Sequence, residues 1–446
     1  MSVSAQVMSA EALAVVRARS APAVTFAQVV HYFVLYGLGA VLICGVLSCG
    51  AVEPWSLFRL QAMVAGLLAI WALQQLVSGA EFVVSPLYVP VAIFAVVTGA
   101  QLLLHRTAYA YMTRAASLTY LAYAMVLLVA VQMLRTQEDV KRLVGFLTVF
   151  GFVIAIFAVI QDFTSKNELY WLVPVKGPSF IFGPYINHNH YAGIMEMLAP
   201  FPLVLSMMEE LTPPKRVLLA FAGVFMAGTI FLSLSRGGMT AFGFEMVFLA
   251  VVLWWKNASR RSAAIFAMAC LLILMFLLWL GGKSLVERFV SLKTDTASYH
   301  TRLQIASDSI PMFRARPVMG WGLGTFTTVY PRYRTFYAEV FVNAAHNDYV
   351  QVLTETGALG FAAVLGFLAV VYARGFRKLH GSGLDLTQAA TLGALLGVTG
   401  ILVHSFVDFN LQIPANAATF YVVAAIAAAS FQTTRRRRRR SSHTVA

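Results

Sequence analysis

The chain has 446 residues, of which 59% are hydrophobic and 12% charged, and a formal net charge of +14. An ordinary soluble domain carries about 25% charged residues, so a water-soluble globule, a disordered chain, a collagen-like repeat and a disulfide scaffold are excluded. Six of the positive charges are the consecutive arginines Arg435 to Arg440, so the basic excess is partly a property of the tail.

Residues 1–27 read as a cytoplasmic tail. They lack the compact apolar core and small-residue cleavage site of a removable signal peptide, so the first spanning helix is expected to direct targeting. Crossing about 30 Å of hydrocarbon takes about twenty apolar residues at 1.5 Å each. Twelve segments qualify: 28–50, 57–77, 86–104, 115–134, 143–162, 190–208, 216–235, 237–255, 262–282, 347–373, 386–408 and 412–431. The stretch 216–255 is interrupted only by Ser235-Arg236-Gly237-Gly238, but it is too long for one crossing and is read as two helices. Cys44, Cys49 and Cys270 sit inside apolar runs without paired ligand spacing. The expected fold is therefore all-α: a polytopic integral membrane protein with about 12 transmembrane helices and a large periplasmic loop between helices 9 and 10. Its parts are spans 1–9 over 28–282, the loop 283–345, spans 10–12 over 347–431, and a basic cytoplasmic tail over 432–446.

Lysine and arginine in short connections resist translocation. With both termini cytoplasmic, nineteen of them fall on the inner side and five on the outer. The loops 163–189 and 283–345 then lie outside the cytoplasm. The six-arginine tail reads as a topology anchor, since nucleic acid and anionic lipid are weaker explanations for it.

Along the long loop, Leu303, Ala306, Ile310 and Phe313 recur at helical spacing, which predicts an amphipathic helix of about three turns. Pro317 ends it, and Gly320-Trp321-Gly322-Leu323-Gly324 follows as a turn. Phe326, Tyr330, Tyr333, Phe336, Tyr337 and Phe341, interleaved with Arg332 and Arg334, then read as an aromatic lid at the membrane surface. They suit either an interfacial belt or a platform for sugar rings.

Several polar residues look misplaced. His346-Asn347-Asp348-Tyr349 opens the tenth span, where a neutral imidazole can accept a proton. Arg236 interrupts an apolar stretch, at a cost of about 2.5–3.5 kcal/mol if it sits at the bilayer centre. Something anionic should offset that, either a carboxylate such as Glu245 or Asp408 or a ligand phosphate gripped by the planar guanidinium. Arg302 could supply a second fork, and two arginines suit a diphosphate. Asn187, His188, Asn189 and His190 precede the sixth span. The two histidines point apart and no Cys or acidic cluster completes a ligand set, so no metal is assigned. With His404, Asp408, Asn410 and Gln412 they suit hydrogen bonds to sugar hydroxyls or polar contacts between helices.

His346-Asn347, nine residues, then Gly357-Ala358-Leu359-Gly360 resembles the signature of the O-antigen ligase and polymerase superfamily. Ser235-Arg236-Gly237-Gly238, Arg302 and the turn from Pro317 to Phe326 occur in that family's order, and the resemblance covers about residues 60–430. It implies a GT-C type membrane glycosyltransferase of the bacterial inner membrane, working at the periplasmic face without cofactor or metal. Such an enzyme takes a glycan from undecaprenyl diphosphate and transfers it whole to an acceptor hydroxyl, on lipid A-core or a growing surface polysaccharide. The resemblance assigns His346 to activation of that hydroxyl and Arg236 and Arg302 to the diphosphate, and the residues themselves suggest Asn187, His188, Asn189, His190, Asn347, His404 and Asp408 for contacts with sugar or acceptor. A single displacement would invert the anomeric centre. A covalent route would need Asp348 or Glu355. The alternatives are an O-antigen or exopolysaccharide polymerase, a protein O-oligosaccharyltransferase and, less well matched, a transporter of lipid-linked glycan. A transporter usually shows two related halves, and this sequence has no internal repeat.

Overall fold

A computed structural model describes residues 25–79, 81–165, 168–175, 180–279, 296–337, 341–381 and 383–430. Most of the expected N-terminal tail, the start of the long loop and the six-arginine tail lie outside the described residues.

The chain opens with α1 (Phe26–Leu47) and α2 (Pro54–Ser78), then α3 (Tyr88–Leu103), α4 (Ala110–Met133) and α5 (Gln137–Thr164). Their starts are set locally. Thr25 with Gln28 and Thr136 with Asp139 form capping boxes, and Pro54 occupies the first turn of α2. A two-residue hairpin, β1 (Glu168–Leu169) with β2 (Val173–Pro174), follows. Next come α6 (His188–Leu198), α7 (Pro200–Leu205), α8 (Pro213–Leu232), α9 (Arg236–Trp255) and α10 (Arg260–Trp279). The segment between α10 and α13 holds α11 (Thr296–Ala315) and the single turn α12 (Phe326–Val329). Three further helices complete the bundle: α13 (Asp348–Lys378), α14 (Leu386–His404) and α15 (Pro414–Ala428).

This is an all-α multi-pass membrane architecture. Among the described residues eight helices are long and apolar enough to cross a membrane: α1, α2, α4, α5, α8, α9, α13 and α14. The expected count of twelve is not reached by that measure. Helices α3 and α15 have 16 and 15 residues, roughly 24 Å of rise or less. The expected sixth span is broken between α6 and α7, where Pro200 cannot donate into the ladder, and α10 is not among the eight. The stretch 216–255 forms two helices, parted where Leu234 enters the left-handed region and Ser235 caps α9 by accepting from the Gly238 amide.

The outer shell is apolar, as a bilayer demands: Leu76, Val84, Leu103 and Trp254 are each more than four-fifths exposed. The interior is built on α14 and α15, with α6 and α7 against them. Connections gather at two ends. At one, Tyr170 donates to the Leu47 carbonyl, Arg316 to that of Arg106, and the Ala108 amide to that of Trp321. At the other, Lys256 donates to the carbonyls of Leu379 and Gly381, and Gln137 to Thr387.

The segment between α10 and α13 has its own small core of Ile305, Met312, Phe326, Val329, Tyr330 and Ala345. The buried face of α11 is Ile305, Asp308, Ser309 and Met312, while Leu303 and Ile310 are half exposed, the reverse of the expected stripe. The reason is polar: Asp308 accepts hydrogen bonds from Tyr330, the amide and hydroxyl of Thr335, and Gln304. Nor do the aromatic residues form one lid. Phe326 and Tyr330 stack inside this core at 5.0 Å, whereas Tyr337 and Phe341 point outward.

Candidate active site at one end of the bundle

The turn from Ser405 to Ile413, between α14 and α15, organises the site, and Asp408 is its centre. Its Oδ2 accepts a 2.7 Å hydrogen bond from the Asn189 side chain and lies 4.0 Å from Arg302 Nη1, while Oδ1 lies 3.7 Å from His346 Nδ1. Arg302 also donates to the Val407 carbonyl. Asp408 is buried. Burial opposes its ionisation, but the adjoining His346 ring and the charges of Arg302, His190 and His404 outweigh that and hold the carboxyl well below the usual carboxylate range.

His346 stands in the left-handed region, at φ 48°, which turns its ring back toward Asp408 just before α13 begins. Its Nδ1 makes no hydrogen bond, and 3.7 Å is a charge contact rather than a formed hydrogen bond. The ring meets Phe409 edge-on at 4.9 Å, and His190 meets the same phenyl at 5.1 Å. Phe409 therefore separates the two imidazoles. Asn347 caps α13, accepting from the Val350 amide and donating to the Phe406 carbonyl. Asn187 caps α6, His188 hydrogen-bonds the Ser233 carbonyl at 2.6 Å, and His190 is buried. These polar side chains fix the turns that carry the site. His188 and His190 are drawn to different neighbours, and among the described residues no cluster of three or more His, Cys, Asp or Glu is disposed to hold a metal.

Arg236, half-buried, is the first residue of α9. Gly237 lets this helix start against α14: a Cβ there would stand 2.5 Å from the His404 ring and 3.1 Å from Val407. Arg302 thus contacts the 404–408 turn directly, and the start of α9 that carries Arg236 packs against the same turn, where helix N–H groups favour an anion. His404 itself is a core residue, 1% exposed, with Nδ1 2.8 Å from Glu196 Oε1.

The glycines of the signature serve the backbone. Gly357, at φ 66° and ψ −169°, breaks α13, and the 317–326 turn is laid against the break. Trp321 and Gly322 amides donate to the carbonyls of Thr354 and Glu355, and those of Ala358 and Leu359 to Pro317 and Val318. The Glu355 carboxylate accepts from the amides of Gly324 and Phe326. Asp348 is likewise engaged, by Ser405, Leu411 and Gln412.

On the other side of the same turn, an apolar cavity of about 320 Å³ runs between α3, α4, α13 and α15. Phe94, Tyr120, Phe367 and Tyr421 line it, and Asp348, Ser405 and Gln412 close its polar end. Glu196, Phe409 and the anchoring part of Glu355 had escaped the sequence reading. An acid inside an apolar run was the signal that could have found Glu196.

Fold and site together define a polytopic α-helical membrane protein whose 404–413 turn gathers His346, Arg302 and Asn189 around Asp408. Residues 221–365 match the O-antigen ligase family model, which supports placing the chain in the O-antigen ligase superfamily. The matched stretch holds Arg236, Arg302 and His346, whereas Asp408, His404 and residues 187–190 lie outside it. A comparison with curated proteins finds no match.

Proposed function

We propose that the protein is an O-antigen ligase-like glycosyltransferase, moving a glycan en bloc from undecaprenyl diphosphate to an acceptor hydroxyl at the periplasmic face of the inner membrane. The observation that carries this reading is Asp408, a buried carboxylate set between the His346 imidazole and the Arg302 guanidinium. A lipid diphosphate is a good leaving group, so the protein need only position it, offset the charge growing on its oxygens and accept one proton.

In this reading Arg236 and Arg302 hold the diphosphate, each charge-assisted hydrogen bond contributing about 1.5–3 kcal/mol. His346 takes the acceptor proton as the acceptor oxygen bonds to the anomeric carbon and the carbon–oxygen bond to the diphosphate breaks, its electrons leaving with the lipid. Asp408 orients the ring and stabilises the imidazolium, and positioned base catalysis of this kind contributes about 10²–10⁴-fold. Displacement from the opposite side inverts the anomeric centre. Asp348 and Glu355 are engaged by backbone and side-chain donors, which disfavours a glycosyl-enzyme. The apolar cavity offers a wall for lipid hydrocarbon. Lipid A-core is the favoured acceptor, with a growing polysaccharide as the runner-up.

The test is to offer radiolabelled lipid-linked glycan to the purified protein in detergent, where no compartments exist. Transfer to an added acceptor, lost in His346→Ala, supports the reading. Release or movement of donor without transfer refutes it.

A further inference from the structure

Three ionisable side chains behind the arginines are not used by the reaction described above. Glu196, Glu245 and His404 are all at most 1% exposed. Glu196 Oε1 meets His404 Nδ1 at 2.8 Å, but its Oε2 and both oxygens of Glu245 are buried without a hydrogen-bond partner. Glu245 packs against Gly400, one helical turn before His404: a Cβ at Gly400 would stand 1.7 Å from Glu245 Oε1. Gly238, two turns before Glu245 on α9, brings the same helix against Glu196, where an added Cβ would lie 3.0 Å from Oε1. Both carboxyl groups are therefore buried where α9 meets α6 and α14, Glu196 against Gly238 and His404, and Glu245 against Gly400.

Two unsolvated carboxylates at one helix junction cannot both stay ionised beside a single imidazole. The group must hold protons, and it does so under the helix start that carries Arg236. Packing does not call for acids there, since a buried unsatisfied polar group costs about 1–3 kcal/mol.

We infer that Glu196, Glu245 and His404 form a buried proton-binding site whose occupancy is coupled to diphosphate binding at Arg236 and Arg302. The inference rests on the diphosphate reading above. Groups acting on His404 are Glu196 and His190 from α6, Arg302 from α11 and Asp408 from the following turn. An arriving anion lowers the potential at this group, so a proton is taken from solvent on binding and returned when the diphosphate leaves. It is separate from the proton that the acceptor hydroxyl gives to His346.

The experiment is titration calorimetry of the full chain in detergent with farnesyl diphosphate as probe, in buffers of different ionisation enthalpy. Wild type is expected to take up a substantial fraction of a proton near neutral pH, and its affinity to fall by up to about tenfold per pH unit across the linked window. The double variant Glu196→Gln, Glu245→Gln leaves His346 and both arginines in place and is expected to bind with much less proton uptake and a flatter pH dependence. Should it fail to fold, His404→Gln serves as the second variant. Zero uptake in wild type, or equal uptake in the variant, overturns the inference while leaving the diphosphate reading intact. Wild type that binds no probe, as Arg236→Ala binds none, overturns that reading and the inference with it.

Discussion

Replacing Gly357 with alanine tests whether the glycine of the signature is a hinge for the segment between α10 and α13 rather than a contact with substrate. Its dihedral angles, φ 66° and ψ −169°, belong to a region essentially reserved for glycine. A Cβ would stand 2.4 Å from the carbonyl carbon and oxygen of Val318 and 2.6 Å from the Gly320 amide nitrogen. These are backbone atoms and cannot rotate away. Relief requires lifting residues 317–322 off α13, which breaks the hydrogen bonds donated by the amides of Trp321, Gly322, Ala358 and Leu359. Four such bonds at about 0.5–1.5 kcal/mol each, with about 1–3 kcal/mol for the dihedral, give a cost of about 3–9 kcal/mol. Limited trypsin digestion is expected to cut faster at Arg314 and Arg332 while the membrane helices stay intact. Transfer falls as well, because α11 and its Arg302 are held through this segment. Gly243→Ala is the control, since nothing lies within 4 Å of a Cβ there. If the two variants digest and turn over alike, the reasoning is wrong.

Arg302→Ala should lower kcat/KM for transfer by roughly 10–100-fold, as expected for one charge-assisted hydrogen bond of about 1.5–3 kcal/mol, with steady-state assays as the check. Asp408→Asn removes the anion from between His346 and Arg302, and a lower unfolding midpoint in detergent together with lost transfer is expected, with the hydrogen bond from Asn189 contributing about 1.5–3 kcal/mol of the loss. Because the carboxyl of Asp408 is held below its ordinary value, the stability it contributes is complete above about pH 4 and disappears only as pH falls through the lowered value. Unfolding midpoints for wild type should therefore show no loss from this group between neutral and mildly acidic pH. Treatment with a chelator should leave transfer unchanged, and a loss rescued by added metal would revive a metal role for His188 and His190.

The spans were legible because a bilayer requires long apolar runs, and the runs are hard to miss. Their ends and continuity were less so: Pro200 and Pro202 lie in an apolar stretch that reads as one helix, yet split it in two. The face of α11 was misread because the decisive residue is Asp308, whose burial depends on Tyr330 and Thr335, partners that no periodicity reveals. At the site, Arg236, Arg302 and His346 stood out as polar groups in apolar or interfacial surroundings. What could not be read was the contact made through Asp408, since it joins residues far apart in the chain, or that Asn187 and Asn347 cap helices.

The position of α15 bears on how the molecule is made. Nearly every side chain from Pro414 to Ala428 is enclosed, with α4, α13, α14, α1 and α6 packed around it. It is also the last of the described helices to be synthesised. Its neighbours therefore leave the ribosome and enter the bilayer before the piece that fills their middle exists, so the bundle can close only as a late event of biogenesis. A ribosome stalled before this helix would leave an annulus around a vacancy, a form that quality-control proteases can distinguish from the finished molecule.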